Sequence, residues 1–206
     1  MSQAAPTVFV VDDDLRVLKA LSRLLRSRKL NPVTFASPQE FLNQHDPKVP
    51  GCLVLDVAMP GLDGLQLQQA LISKSRELPI IFLTGHGDIP MSVRAMKHGA
   101  IDFLTKPVRE RDLLQAIRIA LEADRVRRQA RAELDDIRQR LAKLTPRERE
   151  VLEHVVTGQL NKEIADDLDA AETTIKIHRG RVMEKMNVQS VAELARLAER
   201  AGIRRK

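Results

Sequence analysis

Asp56 ends a short apolar run, Cys52-Leu53-Val54-Leu55, and is followed by Val57-Ala58-Met59-Pro60-Gly61. A second acidic group, Asp12-Asp13-Asp14, ends the run Val8-Phe9-Val10-Val11. Lys106, before Pro107, follows a third, Ile101-Asp102-Phe103-Leu104. In an open parallel sheet, strand ends of this kind share the edge where ligands bind. Clustered carboxylates repel each other unless a cation sits among them. Mg²⁺, held by a few acids and completed by phosphate oxygens, suits that place. The group is equipped for one chemistry in particular, acceptance of a phosphoryl group by a carboxylate. Taken singly, each acid is a loop residue capping a helix. Three acids with Thr84 and Lys106, each at or just beyond a strand end, are hard to explain as caps.

Positioning those groups requires alternating elements, and the first part of the chain alternates. Short apolar runs at 7–11, 33–35, 52–55, 79–83 and 101–104 read as strands, with stretches of helical period at 14–28, 37–44, 64–75, 88–98 and from 109 onward. In 14–28 the residues Leu15, Leu18, Leu21, Leu24 and Leu25 recur at helical steps. Strands alternating with helices imply a parallel sheet with right-handed crossovers. Five such units make a flavodoxin-like doubly wound α/β domain.

From 109 the helical signal hardly stops, and no Gly or Pro occurs from 108 to 144. Leu113, Leu114, Ile117 and Leu121 form one stripe; Leu134, Ile137, Leu141 and Leu144 form another with heptad-like spacing. The expectation is one long helix, or two nearly continuous ones, with a short coiled-coil contact left open. After Thr145-Pro146 the elements become short helices. Thr145 is an N-cap with Pro146 first and Glu148 three residues on, a capping box. That helix ends at Gly158. Asn161 is expected to cap a helix over 162–168, and the turn Asp169-Ala170-Ala171 leads to a helix over 172–186. Ser190 opens a last one. Four helices with one tight turn form the helix-turn-helix layout, whose later helix enters the major groove. The domains are therefore expected at 1–122 and 143–206, with a helical linker at 123–142.

Charge follows this division. Residues 1–124 hold 15 Lys and Arg against 14 Asp and Glu, whereas residues 125–206 hold 19 against 14. The basic excess points the second part toward a polyanion. With no Trp or Tyr in the chain and all five Phe before residue 104, that part has no platform for stacking single-stranded bases, which favours duplex. The lone cysteine, Cys52, excludes a disulfide framework and is expected to be a buried small hydrophobe. No apolar run approaches the length of a membrane helix, roughly 20 residues. The first residues show neither a charged n-region nor an apolar core, so no export signal is expected and the cytoplasm is.

Residues 6–122 resemble the receiver domain of bacterial two-component response regulators. The stretches that carry the likeness are Val10-Val11-Asp12-Asp13-Asp14, Leu55-Asp56 through Asp63-Gly64, Leu83-Thr84-Gly85-His86 and Phe103-Leu104-Thr105-Lys106-Pro107. The resemblance implies that Asp56 accepts phosphoryl from a sensor histidine kinase. It implies Mg²⁺ on Asp13, Asp56 and the Ala58 carbonyl, with Asp12 acting through water. Lys106 would pair with a phosphoryl oxygen, Thr84 would hydrogen-bond another, and Phe103 would rotate inward; the Lys106-Pro107 bond is cis in this family.

Residues 141–203 are similar to the LuxR-type helix-turn-helix, through Leu144-Thr145-Pro146-Arg147-Glu148-Arg149-Glu150, Asn161-Lys162-Glu163-Ile164-Ala165 and Thr174-Ile175-Lys176-Ile177-His178-Arg179. As a whole the chain resembles NarL/FixJ-type regulators, closest to the FixJ branch. Carried over, Lys176, Ile177 and Gly180 sit at base-contacting positions, and Thr174, Arg179, Arg181, Asn161 and Lys162 at phosphates. Thr173, Lys176, Ile177, Gly180 and Arg181 share one helical face. Two departures stand out: Asp169 occupies the turn position where the family usually has Gly, and Gly180 replaces a residue that is often larger. The implied function is a phosphorylation-controlled transcription regulator, an activator by family habit, that dimerises when phosphorylated and works with promoter DNA and RNA polymerase.

Other functions fit less well. A phosphohydrolase with an aspartate nucleophile needs a general acid two residues on, and that residue is Ala58. A flavin module needs a hydroxyl- or glycine-rich phosphate loop after the first strand, where Asp12-Asp13-Asp14 would repel phosphate. No enzyme activity is expected. A receiver with an RNA-binding or protein-docking output stays open at this point.

Overall fold

The computed structural model describes residues 5–74, 77–85 and 89–203. They divide into two compact units, one up to Arg127 and one from Arg128. That division falls inside the segment 123–142 expected to be linker.

The first unit alternates strand and helix: β1 Thr7–Val11, α1 Leu15–Ser27, β2 Asn31–Phe35, α2 Pro38–Gln44, β3 Gly51–Asp56, α3 Gly64–Ser73, β4 Ile80–Thr84, α4 Ile89–Lys97, β5 Asp102–Thr105 and the start of α5, Glu110–Ala142. The strands form one parallel sheet in the order β2-β1-β3-β4-β5. The chain reverses its winding between β1 and β3, and in such sheets ligands bind at that crevice.

β1, β3 and β4 are buried along their whole length, which is why they read as continuous apolar runs. Alternate residues serve opposite faces. Phe9, Leu53, Leu55 and Phe82 pack with Phe41, Leu67 and Leu71. Val8, Val10, Val54 and Ile81 pack with Leu18, Leu21, Leu113 and Ile117. Cys52 lies in the second of these layers, and burial pushes its thiol up to about 12, so it behaves as a hydrophobe.

Caps fix where the helices begin. The Asp14 carboxylate accepts the Arg16 N–H at 2.8 Å and starts α1. Asp63 and Gln66 form a reciprocal capping box at α3.

The second unit comprises the end of α5 with α6 Pro146–Val156, α7 Asn161–Asp167, α8 Glu172–Met186 and α9 Val191–Arg200. Its core joins Ile137 and Leu141 of α5 to Val151, Leu152, Ile164, Ile175, Val182, Met186 and Leu194. Three residues of the stripe left open as a coiled-coil seam are thus turned toward this unit's own helices: Ile137 and Leu141 in its core and Leu144 packed against it.

The expected capping box of Thr145 and Glu148 is present. The role expected of Asn161 is corrected. Helix α7 begins at Asn161 itself, Leu160 is its N-cap, and the Glu163 carboxylate accepts the Leu160 N–H at 2.7 Å. Asn161 Oδ1 accepts from Arg179 instead, at 2.9 Å. A glutamate at N3 reaches back to the cap residue's N–H, and the asparagine is released for a tertiary bond.

Candidate functional site

β1, β3 and β5 bring three of the singled-out groups together. Lys106 Nζ donates to Asp12 Oδ2 and to Asp56 Oδ1, both at 2.6 Å. Asp12 and Asp56 are only 2 % and 4 % exposed. Carboxylates stripped of water need such a partner. Burial raises the Asp56 carboxyl above its ordinary value; Lys106 opposes this, and the charges of Asp12 and Asp13 add to it. Burial also works against the Lys106 charge, but its hydrogen bonds to Asp12 and Asp56 prevail and hold the ammonium above the usual lysine value.

The three acids after β1 divide the work. Asp12 is buried and also accepts the Asp14 N–H at 2.9 Å. Asp13 is exposed at the mouth of the site. Asp14 faces out to cap α1, and a hydrogen bond from Arg16 holds its carboxyl down at about 2.

Thr84 closes β4 and is 1 % exposed. Asp56 pairs with Leu83 across the sheet, so Thr84 stands one residue beyond it on the neighbouring strand. The Lys106 N–H donates to the Thr84 carbonyl at 2.7 Å, and the Lys106-Pro107 bond is cis. Phe103 lies opposite Phe82 with ring centroids 6.0 Å apart and is only partly buried. Ala58 is exposed on the loop after β3. His86, part of one quoted stretch, lies outside the described residues.

Among the described residues no three His, Cys, Asp or Glu side chains form a ready-made metal cage. Mg²⁺ does not ask for one: it keeps several waters and binds through one or two carboxylates plus phosphate oxygens. The donors here are hard oxygens, and the two carboxylates bonded to Lys106, with the charge of Asp13 acting on Asp56, leave surplus negative charge. The residues therefore fit the ion.

Gly64 was quoted in the sequence only as part of a stretch, yet it holds this edge together. A Cβ there would stand 2.3 Å from the Asp56 carbonyl oxygen, and the Gly64 N–H donates to the Val57 carbonyl at 3.0 Å. The start of α3 can seat against the Asp56 loop only without a side chain.

In the second unit α8 carries the other candidate set. Ile175, Val182 and Met186 face the core with no exposure. Thr173, Thr174, Lys176, Ile177, Gly180 and Arg181 are exposed, as is Lys162 on α7; Asn161 and Arg179 are half-buried and bonded to each other. Arg147 donates to the Leu168 carbonyl at 2.6 Å, tying α6 to the turn before α8.

Residues 8–118 match the response regulator receiver domain family, and residues 142–198 match the bacterial regulatory proteins of the luxR family. The chain is a response regulator. Nodulation protein W of Bradyrhizobium diazoefficiens is 49% identical to it over 196 residues, 95% of this chain and 86% of that protein. Transcriptional regulatory protein FixJ of the same organism is 41% identical over 196 residues, 95% and 96% of the two. A solved structure of the response regulator StyR superposes with a TM-score of 0.89 at 49% identity, over 95% of this chain and 99% of that one. This response regulator therefore joins the NarL/FixJ-type transcription regulators of two-component systems.

Two buried polar groups of the response regulator escaped the sequence reading. Gln68 on α3 donates to the carbonyls of Ala95 and His98, both at 3.2 Å, and so fastens the end of α4. Asp124 on α5 accepts the Gly51 N–H at 2.9 Å and pairs with Arg127. Asp124 continues the spacing of Leu113, Ile117 and Ala120, and an acid on an apolar helix face was the signal available.

Proposed function

We propose that Asp56 receives a phosphoryl group from a sensor histidine kinase and that this event governs duplex binding by the second unit. What carries the reading is the Lys106 ammonium 2.6 Å from both Asp12 and Asp56 at the sheet edge. Lys106 engages one Asp56 oxygen, which leaves the other as nucleophile. That oxygen attacks the phosphorus of a phosphohistidine. The P–N bond breaks with its electron pair going to the imidazole, and an acyl phosphate forms. Lys106 then pairs with a phosphoryl oxygen.

Receiver domains generally bind Mg²⁺ at the phosphorylation site. Here Asp13, Asp56 and the Ala58 carbonyl would hold it, with Asp12 acting through water; bound there, it would neutralise the transferring oxygens.

The product adds roughly −1.5 to −2 charge at the end of β3. Thr84 donates to it, and Phe103, partly buried now, moves into the space that Thr84 vacates. The neighbouring face of α4 exposes Ile89, Val93 and Met96; its pairing in a homodimer is the proposed output. On DNA, Lys176, Ile177, Gly180 and Thr173 face bases, while Thr174, Arg179, Arg181, Asn161 and Lys162 face phosphates. The dimer reads two half-sites and acts as an activator with RNA polymerase. Among the described residues no helix is long and apolar enough to cross a membrane, in keeping with a cytoplasmic regulator.

Asp56→Asn is expected to abolish acid-labile phosphate from acetyl phosphate or the kinase, and Asp13→Ala to weaken Mg²⁺ binding. Undiminished phosphate in Asp56→Asn would place the acceptor elsewhere.

A further inference from the structure

Gly180 sits inside α8, well away from either end of Glu172–Met186. Glycine is among the poorest residues for a helix interior, so its presence needs a cause. Folds supply two. One is a left-handed backbone, and Gly180 is not among the positive-φ glycines. The other is crowding. At Gly51 and Gly64 an added Cβ would meet backbone at 2.0 and 2.3 Å, but at Gly180 it would meet nothing within 4 Å. Within this chain, then, alanine would fit and would favour the helix. The cause lies outside the fold.

Its neighbours indicate where. Thr173, Lys176, Ile177 and Arg181 share the exposed face on which Gly180 leaves a bare stretch of backbone. Ile177 is 56 % exposed. An isoleucine is short and apolar, so it reaches a base edge only when the helix backbone lies deep in the groove; the apolar feature of that groove is the thymine methyl. A glycine one turn on is what allows backbone to approach a ligand closely.

We propose that Gly180 is the point of closest approach between α8 and duplex DNA, and that its missing side chain lets the helix seat deeply enough for Ile177 to contact bases. The inference rests on the reading of α8 as the groove helix. It makes the glycine that stands in place of an often larger residue a specificity determinant.

The test uses the full chain, treated with acetyl phosphate, and a duplex selected by the wild-type protein from a random library. Wild type, Gly180→Ala and Lys176→Ala are titrated with that duplex and with a scrambled one, and each is melted. Gly180→Ala is expected to melt at or above the wild-type temperature. It should bind the selected duplex about tenfold more weakly, the scale of one base-edge contact, and change little on the scrambled duplex. Wild-type affinity of Gly180→Ala for the selected duplex overturns the proposal. If Lys176→Ala nevertheless loses discrimination, the reading of α8 stands and only the role of Gly180 falls. If Lys176→Ala keeps full discrimination, both fall.

Discussion

Glu148 shows how one side chain can serve two elements. Its carboxylate accepts the Thr145 N–H at 2.8 Å, closing the first turn of α6, and receives Lys185 of α8 at 2.6 Å while only 2 % exposed. The Lys185 hydrogen bond, then the one from Thr145, holds this carboxyl below its ordinary value of 4.5. A carboxyl with a lower pKa in the folded than in the unfolded chain adds stability that is complete above the unfolded value. That stability is lost as pH falls through the folded one. Glu148→Gln keeps an acceptor for Thr145 and drops the charge. It is expected to cost the DNA-binding unit about 1–3 kcal/mol near neutral pH. The gap to wild type should close as pH falls below 4.5. Denaturant titrations from neutral to acid pH measure it, and a pH-independent gap would mean that charge is not the cause.

At the scale of elements, the turn between α7 and α8 sets the direction in which α8 leaves it. Asp169 takes φ 46 there, the left-handed region that the sequence departure anticipated. Non-glycine residues give up about 1–2 kcal/mol in that region, aspartate less than most. Asp169→Gly should therefore be neutral or stabilising, and Asp169→Ala less stable than Asp169→Gly by about 1 kcal/mol; thermal melts of the two variants decide it. Elements of this kind were legible because their signals are local. The buried strands are unbroken apolar runs, and Thr145-Pro146 with Glu148 announces its helix. Asn161 misled because asparagine suits an N-cap and the actual cap, Leu160, has no side-chain acceptor; the bond that employs Asn161 comes from Arg179, 18 residues away. Asp124 and Gly51 are 73 residues apart, and no local pattern joins them. Asp12, Asp56 and Lys106 were recoverable despite similar separations, because parallel strands must end on a common edge.

At the scale of the molecule, the exposed residues Ile89, Val93 and Met96 put an apolar stripe on α4, a helix whose far end is fastened to α3 through Gln68. If phosphorylation rearranges that helix, the chain should be monomeric when unmodified and dimeric when phosphorylated, at tens of micromolar by analytical ultracentrifugation. Val93→Glu should abolish the shift without lowering phosphate incorporation, and identical masses for the two wild-type forms would count against the switch. The packing of Ile137 and Leu141 also bears on how the protein can be dissected. These two side chains, 3 % and 5 % exposed, are contributed by α5 to the core formed with Val151, Leu152 and Met186. A fragment begun at residue 143, where the pattern of short helices starts, would lose both and carry an open apolar trough into solvent. A protease-resistant DNA-binding piece should instead retain the last turns of α5, so the helix that leaves the receiver is, at its far end, a wall of the other domain.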